Sequence, residues 1–173
     1  FIDLERVYSQ KKITDTKIKD FYEKNKEFFK DDFRKFRYLK LSPKILIGKD
    51  DFNETYFKKI DEIENDILDG KNFKDITSFS INNIKEIGYI NAEAFRKNGD
   101  SFEIDKKLLQ EVFKIQTLNT PSFINFQNNF YIAEVLKEEN IILDMNNKNV
   151  RETINNQIKI VNLIEENTSL IKK

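Results

Sequence analysis

The sequence predicts an α+β fold, a small antiparallel sheet with helices packed on it, flanked by helical arms. Three observations carry that expectation. Segments of helical period and short strand-like segments follow one another in the order strand, helix, short helix, strand, helix, hairpin. Breakers stand between them: Pro43 after one strand-like run, Gly70 after a helical stripe, and Gln127-Asn128-Asn129 between two apolar runs. Outside this middle region, apolar residues recur at helical spacing over residues 18–29 and again over 150–164, which gives the two arms.

Taken in order, residues 1–8 alternate loosely (Phe1, Ile2, Leu4, Val7) and suit a short strand. Ile13-Thr14-Asp15 then signals a helix start, because the side chain of Thr14 or Asp15 can accept from the free first-turn amides. Ile18, Phe21, Tyr22, Asn25, Phe28 and Phe29 form one helical stripe rich in aromatics. Residues 33–41 read as a strand that Pro43 ends, since proline cannot donate to a ladder. A second helix is expected from about 52 to 68, with Tyr56, Ile60, Ile63 and Ile67 on one face and Gly70 just past its end, where positive φ costs glycine least. A short helix over 73–79, a polar turn over 81–86 and a brief strand over 86–90 follow. Residues 106–114 carry Leu108, Leu109, Val112 and Phe113 on another short helix. Strands over 121–126 and 130–136 form a hairpin, because asparagine tolerates the left-handed turn between them. From Asn147 onward, Val150, Ile154, Ile158, Val161 and Ile164 lie on one face of a long helix. That face needs an apolar partner, and the Ile18 to Phe29 stripe is expected to supply it, within one chain or by exchange between two.

Composition removes several chemistries. Lys and Arg number 30 against 30 Asp and Glu, so bulk charge gives no argument for nucleic acid or an anionic membrane. Basic residues are densest at Lys30, Arg34, Lys35, Arg37, Lys40 and Lys44, a cluster read as the solvated face of a strand and its flanks. The chain has no Cys and no His, which rules out disulfides, thiol catalysis and imidazole acid/base chemistry, and no cofactor or metal site is expected. The acidic residues Glu62, Glu64, Asp66 and Asp69 alternate with a buried stripe and lack calcium-loop spacing. No apolar run approaches the length of a membrane span. The chain opens on Phe1, and we expect an excised part of a longer protein.

Four segments in fixed order add a family resemblance: 70–76 (Gly-Lys-Asn-Phe-Lys-Asp-Ile), 87–90 (Ile-Gly-Tyr-Ile), 108–113 (Leu-Leu-Gln-Glu-Val-Phe) and 129–135 (Asn-Phe-Tyr-Ile-Ala-Glu-Val). With Arg37-Tyr38-Leu39-Lys40-Leu41 upstream, their order and spacing resemble the parvulin (PpiC-type) peptidyl-prolyl isomerase family over residues 33–138. The helix over 14–29 is similar to the one that precedes such domains in periplasmic folding factors, above all those of the inner-membrane-anchored PpiD type. The resemblance implies an FKBP-like sheet and three parts, an arm over 1–32, a parvulin-like domain over 33–138 and a helical arm over 139–173. It places the family's first-strand histidine on Tyr38, its last-strand histidine on Tyr131, and the Cys or Asp between them near Asn82. The proline-ring pocket falls on Ile104, Leu108 and Phe113. A glycine-rich loop of the family is reduced to Lys85-Glu86-Ile87-Gly88.

The substitutions bear on chemistry. Prolyl isomerisation must lower an amide rotation barrier of ~18–20 kcal/mol, by favouring the twisted amide over the planar one. Two tyrosines cannot replace a histidine network that titrates near neutrality. The resemblance therefore implies a non-catalytic chaperone domain that binds unfolded segments of exported proteins in the periplasm, with the protein-export channel a partner through the parent. An active isomerase and a structural spacer that dimerises through its arms are the alternatives.

Overall fold

The computed structural model describes residues 12–171, with side chains described through Thr168, and the strand expected over residues 1–8 lies outside that range. The described chain divides into two compact units. One comprises Asp32–Arg96 and Ser101–Glu139, and the other the described parts of Phe1–Asp31 and Asn140–Lys173 together with Lys97–Asp100.

The sheet runs in the order β2-β1-β4-β3 and is antiparallel. Its strands are β1 (Lys30–Lys40), β2 (Lys85–Ile90), β3 (Ser122–Phe126) and β4 (Asn129–Ile142). β1 and β2 pair with a register shift between Arg34 and Phe36, and β1 buries Phe33, Phe36 and Leu39, a spacing of three where a regular strand gives two. β3 and β4 are joined by a two-residue turn whose Gln127 and Asn128 both have positive φ (48° and 60°). That is the hairpin turn whose twist suits the flanking strands, built on Asn128 as expected.

Helices cover both faces of the first unit's sheet. α2 (Pro43–Ile47), α3 (Glu54–Leu68) and α4 (Phe73–Ile76) belong to one face, where Tyr56, Ile60, Ile63, Phe73 and Ile76 pack with Leu39, Leu41, Phe130 and Ile132. Pro43 ends the strand and also opens α2, with Ser42 as the cap accepting from Ile45 N. Asn53 caps α3 by accepting from Tyr56 N at 3.0 Å, and Gly70 follows that helix at φ 78°. A 3₁₀ segment over Ser78–Asn83 replaces the expected polar turn. On the opposite face α5 (Lys106–Lys114) lays Leu108, Leu109 and Val112 over Phe36, Ile87, Ile90, Ala133 and Val135. Because β4 is covered on both sides, it buries every residue from Phe130 to Val135. Glu134 is the charged member of that run. Its carboxylate accepts from Arg37 Nε at 2.7 Å, while the Arg37 guanidinium lies 4.3 Å from the Phe73 ring centroid.

The second unit is helical. α1 (Asp15–Asn25) starts at Thr14, whose hydroxyl accepts from Lys17 N, and it runs into a 3₁₀ turn over Lys26–Phe29. α6 (Lys148–Ile171) buries Val150, Ile154 and Ile158 against Ile18 and Phe29, the expected pairing of the two arms, made within one chain. The Tyr22 hydroxyl donates to Leu143 O at 3.0 Å and its ring stacks on Phe29 at 5.7 Å. Asn147 caps α6, accepting from Asn149 N and Val150 N while donating to Lys97 O at 2.7 Å. Gly99 takes φ 87° there, and a Cβ would come within 3.1 Å of Asn147 Oδ1.

Two parts of the arm stripes differ from expectation. Phe28 is 84% exposed, because the 3₁₀ turn advances about 120° per residue instead of 100° and swings that position off the face. Val161 and Ile164 are exposed as well. α1 has 11 residues and α6 has 24, so at 1.5 Å per residue roughly 16 Å of helix faces roughly 36 Å.

Candidate functional site

Tyr38 on β1 and Tyr131 on β4 stand on neighbouring strands, on the face that α5 covers. Their ring centroids are 6.1 Å apart with the planes 64° to each other, an edge-to-face contact. Phe126 stacks on Tyr131 at 5.4 Å and Phe36 on Tyr38 at 6.3 Å, so both rings are held from the flank. Tyr38 and Tyr131 thus meet side by side.

The placement of α5 determines what remains uncovered. At its N-terminus Asp105 accepts from Lys107 N at 2.8 Å and Leu108 N at 3.2 Å. At its C-terminus the Arg34 guanidinium donates to Val112 O and Ile115 O, both at 2.8 Å, and sits 5.1 Å from the Phe113 ring centroid. A cation on free C-terminal carbonyls is favoured by the helix dipole as well as by the hydrogen bonds. Capped by its own Asp105 and held at its C-terminus by Arg34 of β1, α5 covers the sheet beside the tyrosines and leaves a cleft of about 850 Å³ over them. Its lining includes Tyr38, Tyr131, Ile104 and Leu108, joined by Ile45 from α2.

The sequence-derived candidates separate accordingly. Tyr38, Tyr131, Ile104 and Leu108 share the cleft. Leu108 is almost wholly buried, and Ile104 is half-buried. Phe113 lies at the far end of α5 under Arg34, outside the cleft lining. Asn82 is exposed and does not line it, whereas its neighbour Asn83 does, donating to Ser80 Oγ at 2.9 Å. Lys85-Glu86-Ile87-Gly88 belongs to β2, so the shortened loop has become strand.

Sequence reading passed over the charged rim. Lys40 Nζ lies 5.8 Å from the Tyr131 ring centroid and Lys85 Nζ 6.0 Å from that of Tyr38. Both ammoniums are within range of a cation–π attraction. Glu103 and Asp105 also line the cleft. The only signal in the sequence was the basic cluster around residues 30–44, which looks like an ordinary solvated strand.

The chemistry available is limited. Burial pushes the Tyr131 phenol above the ordinary tyrosine range, with the Asp105 carboxylate and Tyr38 acting in the same direction. A phenol in that range stays neutral near pH 7 and accepts no proton from a substrate. The cleft offers two aromatic faces, aliphatic walls and a charged rim, which suits a peptide segment better than bond-making chemistry. Among the described residues no group of acidic side chains could hold a metal, and no helix is long and apolar enough to cross a membrane.

Neither a family model nor a curated protein sequence matches this chain. Among solved structures it is similar to one of SurA-like chaperones from Campylobacter jejuni, described for the virulence factor PEB4 and the periplasmic protein Cj1289. That similarity is at 13% identity and a TM-score of 0.46, covering 98% of this chain and 64% of that one. It is also similar to PrsA from Bacillus subtilis at 18% identity and a TM-score of 0.36, covering 98% of this chain and 59% of that one. The chain therefore spans less than two thirds of the length of either structure.

Proposed function

We propose that this chain is the non-catalytic parvulin-like part of a periplasmic chaperone, its parent anchored in the bacterial inner membrane, and that it holds unfolded segments of exported proteins. One observation carries the reading. Two tyrosines stand edge to face on the floor of an open cleft, at the positions where the parvulin resemblance puts a titrating histidine pair. The apolar walls that would seat a prolyl ring remain in Ile104 and Leu108. Among the described residues neither tyrosine hydroxyl takes part in a hydrogen-bond network of the kind that would favour a twisted amide. Each 1.4 kcal/mol of differential binding removed costs a factor of ten in rate, so binding survives a change that isomerisation does not.

Aggregation of a chemically unfolded client, followed by light scattering, tests the holding activity. The wild-type chain is expected to slow aggregation, and Ile104→Lys, which puts a charge on the cleft wall, is expected to lose most of that effect while keeping a native circular dichroism spectrum. Equal protection by a folded Ile104→Lys variant would remove the cleft from the account.

A further inference from the structure

The basic residues of β1 and β2 that follow Lys30 divide into two sets. Arg34 pairs with Glu138, Lys35 with Glu86 at 2.8 Å, and Arg37 with Glu134 at 2.6 Å. Lys40 and Lys85 form no ion pair among the described residues, although the chain carries as many acidic as basic side chains. These two are the lysines that line the cleft, one beside each tyrosine ring. The acidic members of the lining, Glu103 and Asp105, flank Ile104 on the segment that leads into α5. Asp105 is committed to the α5 amides. The lining therefore carries cations from the sheet strands and anions from the loop before α5, with aromatic and aliphatic surface between them.

We infer that the cleft selects extended polypeptide segments carrying a carboxylate side chain next to their apolar anchor. The inference rests on the peptide-holding reading above and adds a sequence preference to it. A carboxylate seated between Lys40 and Lys85 gains two attractions, whereas seated toward Glu103 and Asp105 it is repelled. The rim thus sets direction as well as preference. A basic residue in the same place meets two like charges.

The test uses one unstructured proline-containing peptide made in three forms, with Asp, Ala or Lys beside the proline, and fluorescence anisotropy to measure each affinity. Exposed ion pairs of this kind change affinity by roughly threefold each. The Asp form is therefore expected to bind roughly tenfold more tightly than the Ala form at low salt, the Lys form more weakly than the Ala form, and both ratios should fall toward one as salt is added. Lys40→Glu with Lys85→Glu is expected to invert the order, so that the Lys form binds best. A native amide spectrum of that variant confirms that it is folded. Lys40→Gln with Lys85→Gln, a milder change, should bring the three peptides to equal affinity. If all three forms bind wild type equally well, the charge preference is wrong and the holding function stands. If none of the three binds, both fail together. An order that persists unchanged in the Gln variant would assign the preference to other residues and overturn the role of this lysine pair.

Discussion

The two faces of the sheet are built from alternate residues of the same strands, yet one is closed and the other is not. On the face toward α3 and α4, Leu39, Leu41, Phe130 and Ile132 pack with helix side chains, and Arg37 lies against the Phe73 ring while pairing with the buried Glu134. On the face toward α5, Phe36, Ile87 and Val135 are equally well packed, but Tyr38 is only half-buried, and a cleft lies above it and the edge of the buried Tyr131. The difference follows from the length and anchoring of one nine-residue helix. Asp105 ends the helix at its N-terminus, and Arg34 of β1 ties its C-terminal carbonyls to the sheet. Closed packing gives stability, and incomplete cover gives a place for a ligand.

The comparison breaks most readily at its strongest contrast. Phe73→Ala empties a fully buried position on the closed face and should cost about 3–5 kcal/mol in denaturant unfolding. Tyr38→Ala on the open face should cost about 1 kcal/mol, since much of its ring already meets the cleft. Equal losses would mean that the cleft is closed in solution. Next in size, Glu134→Gln leaves the Arg37 guanidinium without its carboxylate in a largely buried site and should cost roughly 2 kcal/mol, visible as a lower denaturation midpoint.

The hydroxyls sharpen the contrast. Tyr56 donates to Leu41 O at 2.7 Å inside the closed face, so Tyr56→Phe should cost about 1 kcal/mol. Tyr131→Phe removes a hydroxyl with no hydrogen-bond partner among the described residues and should change stability by less than about 0.5 kcal/mol. The smallest effect is in pH dependence. Burial raises both Tyr56 and Tyr131 above 10.0, so the folded state keeps these protons longer than the unfolded chain does. Their contribution is fully present below pH 10 and is lost as pH rises through the folded values. The melting temperature should therefore decline above pH 10, and less steeply in Tyr56→Phe.

Local signals made much of this fold legible. α5 spans the expected residues 106–114 because its apolar spacing and its Asp105 cap agree, and the β-hairpin and Gly70 are where turn chemistry puts them. Local signals failed where geometry changed within an element. The 3₁₀ turn expelled Phe28, the irregular register in β1 replaced alternation with a spacing of three, and β4 runs on through the polar residues after Leu136 to Ile142. The site itself was half legible. Tyr38 and Tyr131 came from the family resemblance, while their lysine neighbours, and the Arg34 clamp 78 residues from Val112, arise from long-range packing that no spacing in the chain announces.

The most direct measurement is a heteronuclear NMR titration of the chain with an unfolded proline-containing peptide, recorded with exchange spectroscopy on the prolyl bond. The account predicts shifts at Tyr38, Ile104, Leu108 and Tyr131, with Phe73 on the closed face unmoved and no acceleration of cis/trans exchange. Accelerated exchange would show that the tyrosine floor still catalyses isomerisation and would contradict the account, as would shifts confined to the closed face.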